Sequence, residues 1–184
     1  DRTLLGTAEY ELENVDKWIY HKLNLAAGIV KSSIESYRFN DAAQIVYEFF
    51  WNDLCDWYLE ASKINLYSND EHKKDRAITI LINLLEEALR LLHPFLSFIT
   101  EEIYQKLPNS GDNIITAPYP EHSGKRDNPE VAEKFGLLQD LIRGIRTIRS
   151  EFNLAPERKI PIAVSLDEDF IAASLFTEYY PLIK

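Results

Sequence analysis

Apolar residues recur at helical spacing along most of this chain. In residues 11–37 the periodic positions are Val15, Trp18, Ile19, Leu23, Ala26, Ile29 and Val30. Because this spacing places them on one face of a 3.6-residue helix, it predicts a first long helix. The sequence "RFND" then predicts a corner, and Asn40 or Asp41 is expected to cap a second helix that reaches about Lys63.

Two further helices are predicted in the middle of the chain. The polar connector "YSNDEHKKD" precedes an apolar stripe that is typical of a helix over about 72–93, which Pro94 should end. Thr100, followed by two glutamates, has the composition of a new helix N-terminus. This short helix should stop near Pro108.

The last part of the chain changes character. Residues 108–128 are rich in Pro, Gly, Asn and Asp and are predicted to form a loop. Asp127 or Asn128 before Pro129 indicates the start of a helix, which should reach about Phe152. The sequence "KIPIAVSL" predicts a strand, and "DFIAASLFTEYY" predicts a final helix.

These elements predict a mainly α protein. Residues 1–156 are expected to form an antiparallel helical bundle, and residues 157–184 the start of a small α/β appendage. Because a lone strand leaves main-chain groups unpaired, its sheet partners are expected to lie at least partly beyond Lys184, or the strand is expected to pair with another chain. The sequence has no methionine. We therefore expect the chain to be excised from a longer protein and its appendage to be truncated.

Composition and charge narrow the class of protein. The chain has 184 residues, 46% of them hydrophobic, which is enough for a packed core. Its formal net charge of -10 argues against a general nucleic-acid binder, because phosphate attracts lysine and arginine. A single cysteine excludes a disulfide framework and favours a reducing, cytoplasmic setting. No apolar run approaches the roughly 18 residues of a membrane span, so no membrane partner is expected.

The densest stretch, "FFWNDLCDWYLEASK", mixes aromatic rings with Asp53, Asp56 and Glu60. At about 100° per residue, these acids fall in one narrow sector that apolar residues share. Three carboxylates can bind a hard cation, but a di-iron bundle needs Glu-x-x-His, and no glutamate stands three residues before any of the four histidines. A buried ion pair is the favoured interpretation. Its expected cation is Arg149, at the edge of a later Leu/Ile stripe.

No catalytic or metal site is predicted. Cys55 lies in the middle of a helix among apolar residues, which is typical of a core position. His93 before Pro94 is more typical of a helix end or a packing residue than of a general base. Walker, GxSxG and zinc-binding spacings are absent from the sequence. The residues alone therefore indicate a non-catalytic helical domain.

Several phrases of the sequence together resemble the valyl-tRNA synthetase family, in its C-terminal anticodon-binding region. They are "YRFNDAAQIVYEFFWNDLCDWYLEASK", "LLHPFLSFITEEIYQKLP", "APYP", and "IRGIRTIRSEFNLAP" with "KIPI" after it. Their order and spacing match this family over nearly all of the chain. The phrases "CDWYLE" and "LLHPF…FITEE" are typical of the valyl form among related class I synthetases. Ser97 is a small departure, since the family usually has proline there.

The resemblance implies a module that holds the anticodon arm of valine tRNA. The parent enzyme of such a module activates valine with ATP and Mg, joins it to tRNA and hydrolyses mischarged threonine. The family's adenylation signatures, similar to His-Ile-Gly-His and Lys-Met-Ser-Lys-Ser, are absent from this sequence. The activation and editing sites are therefore expected in preceding domains of the same protein, and no cofactor is expected in this segment.

The resemblance also implies that the anticodon loop meets one end of the bundle. We expect that end where the start of the first helix approaches the end of the second, since antiparallel neighbours bring those ends together. The candidate RNA-binding residues there are Lys17, Trp18, His21, Lys22, Lys63 and Asn65. Lysine can bind phosphate, an exposed ring can stack on a base, and asparagine can read a base edge. The side of the fifth helix that carries Arg143 is a rival surface. A helical protein–protein interaction module is the alternative function.

Overall fold

The computed structural model describes residues 10–108, 111–155 and 157–163. The regular structure among these residues is helical, with no strand. Their α-helices are α1 (Asn14–Glu35), α2 (Phe39–Tyr47), α3 (Leu59–Leu66), α4 (Glu71–Leu92), α5 (Ser97–Tyr104) and α6 (Pro129–Glu151). The chain divides after Asn128 into two compact units. The first unit contains α1 to α5, and the second contains α6. The predicted mainly α fold, a helical bundle, is thus confirmed.

The predicted second helix is continuous but not regular. A π-helical segment, Glu48–Tyr58, joins α2 to α3, and the backbone stays right-handed helical at both junctions. The helical run reaches Leu66, close to the predicted end. Its N-cap residue is Arg38 rather than the predicted Asn40 or Asp41, which already belong to α2.

The π-helical segment changes which residues face the core. A π-helix closes i→i+5 hydrogen bonds, so it turns through a smaller angle per residue than an α-helix. As a result, Asp53 is half-buried, whereas Asp56 and Glu60 are exposed. The expectation that the acids share one apolar face was therefore wrong.

The helices of the first unit run up, down and up. Lys22 of α1 contacts Asp53 of the π-helical segment, and Asp16 of α1 contacts Tyr58 of the same segment. Residue numbers therefore decrease along α1 as they increase along the π-helical segment. That order shows an antiparallel pair. The start of α4 returns to the start of α1, where Arg76 also contacts Asp16. Asp70 caps α4 by accepting hydrogen bonds from two main-chain N–H groups of its first turn.

Apolar residues from three helical runs meet in the core of the first unit. The fully buried side chains include Trp18, Ile19, Leu23, Val30, Val46, Tyr58, Ile80, Leu84, Leu89 and Leu91. Burying a large apolar side chain contributes roughly 1.5–3 kcal/mol, so this set supplies most of the driving force for the helical assembly. In the second unit, Phe135, Leu138 and Ile142 of α6 are buried.

α5 begins one turn earlier than predicted. Its first residue is Ser97, and Thr100 lies inside the helix, 1% exposed. The Thr100 hydroxyl donates to the main-chain oxygen of Leu96, four residues before it. Threonine can make this bond within a helix as readily as it can cap one, so its presence alone did not locate the N-terminus.

Only part of the predicted C-terminal segment lies within the described residues. Residues 159–163 of the predicted strand are irregular. The rest of that segment and the predicted final helix lie outside the described residues. The domain boundary at residues 156/157 and the α/β appendage therefore stay predictions. α6 begins at Pro129 and ends at Glu151, as expected from the sequence.

Candidate nucleic-acid interface

The start of α1 and the end of α3 lie side by side, as the antiparallel pairing requires. The amide nitrogen of Asn65 donates to Glu13 Oε2 at 3.0 Å. Tyr58 Oη donates to Asp16 Oδ1 at 2.7 Å. These contacts place the start of α1 and the end of α3 at one end of the first unit, which we call the α1/α3 end; Lys22 lies about two turns along α1 from its first residue, beside Asp53.

Asp16 is the centre of the polar network at this end. Its side chain is 5% exposed, and Oδ2 accepts from the main-chain N–H of Glu13 and from Arg76 Nη1, both at 2.9 Å. Arg76 also pairs with the carboxylate of Glu13. Since Glu13 and Asp16 form a capping box, the network closes the first turn of α1 and ties it to α3 and α4.

Burial is the main cause of the pKa shifts of Asp16 and Tyr58 in this network. Desolvation raises the pKa of Asp16 above its ordinary value, although the hydrogen bond from Tyr58 and the charge of Arg76 oppose the rise. Desolvation and the neighbouring Asp16 carboxylate raise the pKa of the Tyr58 phenol well above its ordinary value. Tyr58 therefore stays a hydrogen-bond donor at neutral pH. The network is a structural support for the α1/α3 end.

Sequence reasoning missed Asp16 and Arg76. A signal for Asp16 was present, because it lies three residues before Ile19 and seven before Leu23, on the apolar stripe of α1. An acid at such a position needs a buried partner. The partner itself, Arg76, is separated from Asp16 by sixty residues of sequence and could be found only from the packing of α4.

Two of the predicted RNA-binding residues are buried. Trp18 is 2% exposed, so its ring belongs to the core and has no face open to a base. His21 is 6% exposed, and its Nδ1 accepts from the main-chain N–H of Asn128. Trp18 lies on the apolar stripe of α1, and that stripe faces the core. Its expected role as an exposed ring is corrected accordingly.

The lysines of the α1/α3 end remain accessible. The side chain of Lys22 is 37% exposed and lies 3.2 Å from Asp53. The side chain of Lys63 is 43% exposed and pairs at 2.6 Å with Glu60, one turn earlier on α3, which raises its pKa. Lys17 is half-buried. An exposed pair such as Lys63–Glu60 is weak, so its ammonium group can exchange the carboxylate for a phosphate.

Two of the three acids, Asp53 and Glu60, pair with lysines of the first unit. Asp53 pairs with Lys22 of α1, and Glu60 pairs with Lys63. Arg149 belongs to the second unit, where its guanidinium donates to the main-chain oxygens of Ala155 and Arg158. Pairing of Arg149 with Asp53, Asp56 or Glu60 stays a prediction. Asp53 contacts the neighbouring helix α1 through Lys22, and the anchoring role expected for the three acids stays a prediction.

A second polar cluster holds the loop before α6 against α1. Asn24, 1% exposed, donates from Nδ2 to the Ser123 main-chain oxygen at 3.0 Å and to Asp127 Oδ1 at 2.8 Å. Its Oδ1 accepts from the Ser123 N–H at 2.7 Å. His122 also contacts Asp127 Oδ1, at 3.2 Å. The nitrogen and the oxygen of the Asn24 amide are thus both used to fix the loop.

Two observations on the described residues concern metal ligands and the one cysteine. These residues contain no group of three or more His, Cys, Asp or Glu side chains placed to hold a metal ion. Burial, together with the neighbouring Asp56, raises the pKa of the Cys55 thiol, which makes the thiol a poorer nucleophile. Among the described helices, none is long and apolar enough to span a membrane.

A family of known domains and several valine–tRNA ligases match this chain. Residues 16–164 match the family described as the anticodon-binding domain of tRNA ligases. The valine–tRNA ligase of Treponema denticola is 45% identical over 166 residues, which are 86% of this chain and 18% of the relative. The valine–tRNA ligase of Geobacter sulfurreducens is 46% identical over 160 residues, again 86% of this chain and 18% of the relative. That of Geobacillus stearothermophilus is 39% identical over 160 residues, 87% of this chain and 18% of the relative.

The extent of these matches decides what they mean. The chain spans about a fifth of the length of the valine–tRNA ligases that it matches, 18% of each. The family match runs from the first turn of α1 through the whole of α6. The α1/α3 end and the polar cluster around Asn24 therefore both lie within the matched domain. This chain belongs to the family of anticodon-binding domains of tRNA ligases.

Proposed function

We propose that the chain is the module of a valine–tRNA ligase that binds the anticodon arm of valine tRNA. The family match carries the proposal, because it covers residues 16–164 and the relatives from Treponema and Geobacter are valine–tRNA ligases. In such a ligase, valine activation with ATP and Mg, tRNA charging and threonine editing take place in other, preceding domains. The present chain contributes RNA binding without catalysis, in a cytoplasmic enzyme.

The RNA surface of this proposal is the α1/α3 end. Lys17, Lys22 and Lys63 supply positive charge, and the Asn65 amide supplies hydrogen bonds for a base edge. The buried network of Asp16 and Arg76 holds the two helix ends in register. Because this network holds the backbone in place, only the lysine side chains lose freedom on binding, which favours affinity.

The acidic balance of the chain is compatible with this role. A net charge of -10 repels RNA on average, but binding depends on the potential at the contact surface. We expect the chain by itself to bind tRNA weakly and to lose that binding steeply as salt rises. The lysines already paired with acids exchange those partners for phosphate, so each contact adds little net energy.

The alternative is a helical protein–protein interaction module. It draws on the same exposed helix faces, but it predicts no dependence of tRNA binding on the lysines. The family match favours the RNA-binding function, since it describes an anticodon-binding domain. The two functions differ in one measurable quantity, the affinity of the ligase for its tRNA.

The test is a double substitution, Lys22→Ala with Lys63→Ala, in the full ligase. Loss of two phosphate contacts should raise the KM for valine tRNA several-fold and reduce the slope of log affinity against log salt by about 1.5–2. Valine-dependent ATP–pyrophosphate exchange should not change, because it takes place in another domain. Unchanged tRNA kinetics would place the RNA surface elsewhere on the protein.

The matched control is Lys106→Ala. Lys106 lies beyond the end of α5 and pairs with Glu102 one turn before it, so it resembles Lys63 in pairing and, at 70%, is more exposed. It should leave both the KM for tRNA and the salt slope unchanged. Loss of the exchange reaction in the double variant would indicate a folding defect, and the melting temperature of each variant checks this directly.

A further inference from the structure

α1 ends in a turn that normally requires glycine. The N–H of Arg38 donates to the Ser33 oxygen at 2.8 Å, and the N–H of Tyr37 donates to the Ile34 oxygen at 3.0 Å. This pair of bonds defines a Schellman motif, in which the residue at the position of Tyr37 is left-handed and most often glycine. Tyr37 has φ 59°, so a bulky side chain occupies a backbone conformation that disfavours it.

α6 ends in the same Schellman motif, but with a residue type that is common at its left-handed position. There the Leu154 N–H donates to the Arg149 oxygen at 2.9 Å, and the Asn153 N–H donates to the Ser150 oxygen at 3.1 Å. Asn153, with φ 50°, takes the left-handed position. Asparagine is among the residues that tolerate this region. Tyr37 is therefore the exception that needs a reason.

Burial does not supply that reason. Tyr37 is 82% exposed, and its ring contact is Phe39, itself 54% exposed, with the centroids 6.3 Å apart at an interplanar angle of 86°. Neither ring fills the core, so the strained turn gains little from packing. A residue that breaks a local rule without stabilising the fold is a candidate for a binding role.

A cation lies between the two rings in sequence. The Arg38 side chain is 58% exposed, and its guanidinium is 3.4 Å from Asp41 in the first turn of α2. An exposed pair at i,i+3 spacing is weak and can open to a phosphate. Tyr37, Arg38 and Phe39, which we call the α1–α2 corner, thus present two aromatic rings and one guanidinium at a helix–helix turn.

We propose that the α1–α2 corner binds an unpaired nucleotide of RNA, with one ring stacking on the base, the perpendicular ring packing against the base edge, and Arg38 contacting the phosphate. This inference rests on the proposed function, in which the domain binds tRNA. Stacking on exposed rings and an arginine contact are the usual means of holding splayed nucleotides. Two rings on a turn offer far less than the roughly 800 Å² per partner of a stable protein interface, which favours RNA over a protein.

The corner is separate from the α1/α3 end. α1 has 22 residues, so its two ends are about 33 Å apart at 1.5 Å per residue. A nucleotide at the corner is therefore a second contact rather than part of the lysine surface. Substitutions at the two places act independently if both contacts exist.

The test measures tRNA affinity and stability together for Tyr37→Gly in the full ligase. Glycine relieves the left-handed strain, so the melting temperature should stay equal to that of wild type or rise by a few degrees. Loss of one stacked ring should raise the Kd for valine tRNA about fivefold or more. Phe39→Ala should weaken binding in the same range. A variant that folds at least as well and binds RNA worse is the expected signature.

The control is Tyr47→Ala. Tyr47 is also exposed, at 62%, and stacks on Trp51, but it lies in a regular helix without backbone strain. It should bind tRNA like wild type. Equal losses in Tyr47→Ala and Tyr37→Gly would overturn the proposal, and so would a lower melting temperature for Tyr37→Gly, since that would make Tyr37 structural.

The remaining outcomes separate the corner from the lysine surface. If Lys22→Ala with Lys63→Ala weakens tRNA binding and Tyr37→Gly does not, the corner proposal fails and the proposed function stands. The corner proposal fails in the same way if Tyr37→Gly leaves tRNA binding intact but changes the sedimentation of the ligase, which would indicate a protein contact. If Tyr37→Gly weakens binding and the lysine variant does not, the corner is supported and the lysine surface is refuted. If the wild-type ligase binds no tRNA, both proposals fail.

Discussion

Replacing Arg76 by methionine tests whether the buried network sets the stability of the α1/α3 end. The Arg76 side chain is 11% exposed, and Nη1 lies 2.9 Å from the carboxylate of Asp16, which is 5% exposed. Methionine keeps most of the aliphatic volume and removes the charge. Asp16 then keeps its hydrogen bonds from Tyr58 and from the Glu13 N–H but loses its cation.

The expected loss of stability follows from this geometry. Removing one member of a buried pair costs about 3–5 kcal/mol, and we expect about 3 kcal/mol, since Asp16 retains two donors. At about 2–4 °C per kcal/mol for a chain of this size, the melting temperature should fall by roughly 6–12 °C. The control Lys74→Met removes an exposed pair with Glu71, also on α4, and should cost less than about 1 kcal/mol.

The pH dependence of the loss gives a second measurement. Burial raises the pKa of Asp16, and Arg76 opposes that rise, so its removal raises the pKa further. A carboxyl whose pKa is higher in the folded than in the unfolded state binds more protons when folded. Its contribution to stability therefore falls as the pH rises between the two pKa values. The deficit of Arg76→Met against wild type should be small near pH 4 and should grow toward neutral pH.

The assay is thermal and urea unfolding of wild type, Arg76→Met and Lys74→Met, followed by circular dichroism between about pH 4 and pH 7. A melting temperature for Arg76→Met equal to that of Lys74→Met would refute the network as a stabilising element. A deficit that stays constant over this pH range would refute the part assigned to Asp16, because a titrating carboxyl must change it.

Two further predictions concern Trp18 and Asn24, whose side chains are both buried. Trp18→Ala should lower the free energy of unfolding by about 3–5 kcal/mol in urea titrations, because it removes a ring that is 2% exposed; a surface role for Trp18 predicts less than about 1 kcal/mol. Asn24→Ala should remove the three hydrogen bonds that hold Ser123 and Asp127, costing about 2–3 kcal/mol and making the loop before α6 more sensitive to limited proteolysis, whereas unchanged cleavage there would show that other contacts fix the loop.

The sequence by itself determined the helices and their order. Periodic apolar residues located α1 and α4 to within a few residues, and Pro129 marked the start of α6. The same periodicity also indicated that Trp18 is buried, since a large ring on the apolar stripe of a helix is a core residue. These features depend on local spacing, which the sequence carries directly. The resemblance to valyl-tRNA synthetases likewise rests on phrases of sequence, and the family match agrees with it.

Tertiary structure decided the polar contacts. The π-helical segment Glu48–Tyr58 changed the angle per residue and separated Asp53 from Asp56 and Glu60, an effect that no fixed period anticipates. Arg76 contacts Asp16 although the two are sixty residues apart in the sequence. Helix packing, rather than sequence spacing, determines which cation lies next to a buried acid. The strain at Tyr37 is likewise invisible in the sequence, where a tyrosine in "YRFND" looks ordinary. Only the backbone conformation, φ 59°, shows that an exposed ring occupies a position suited to glycine.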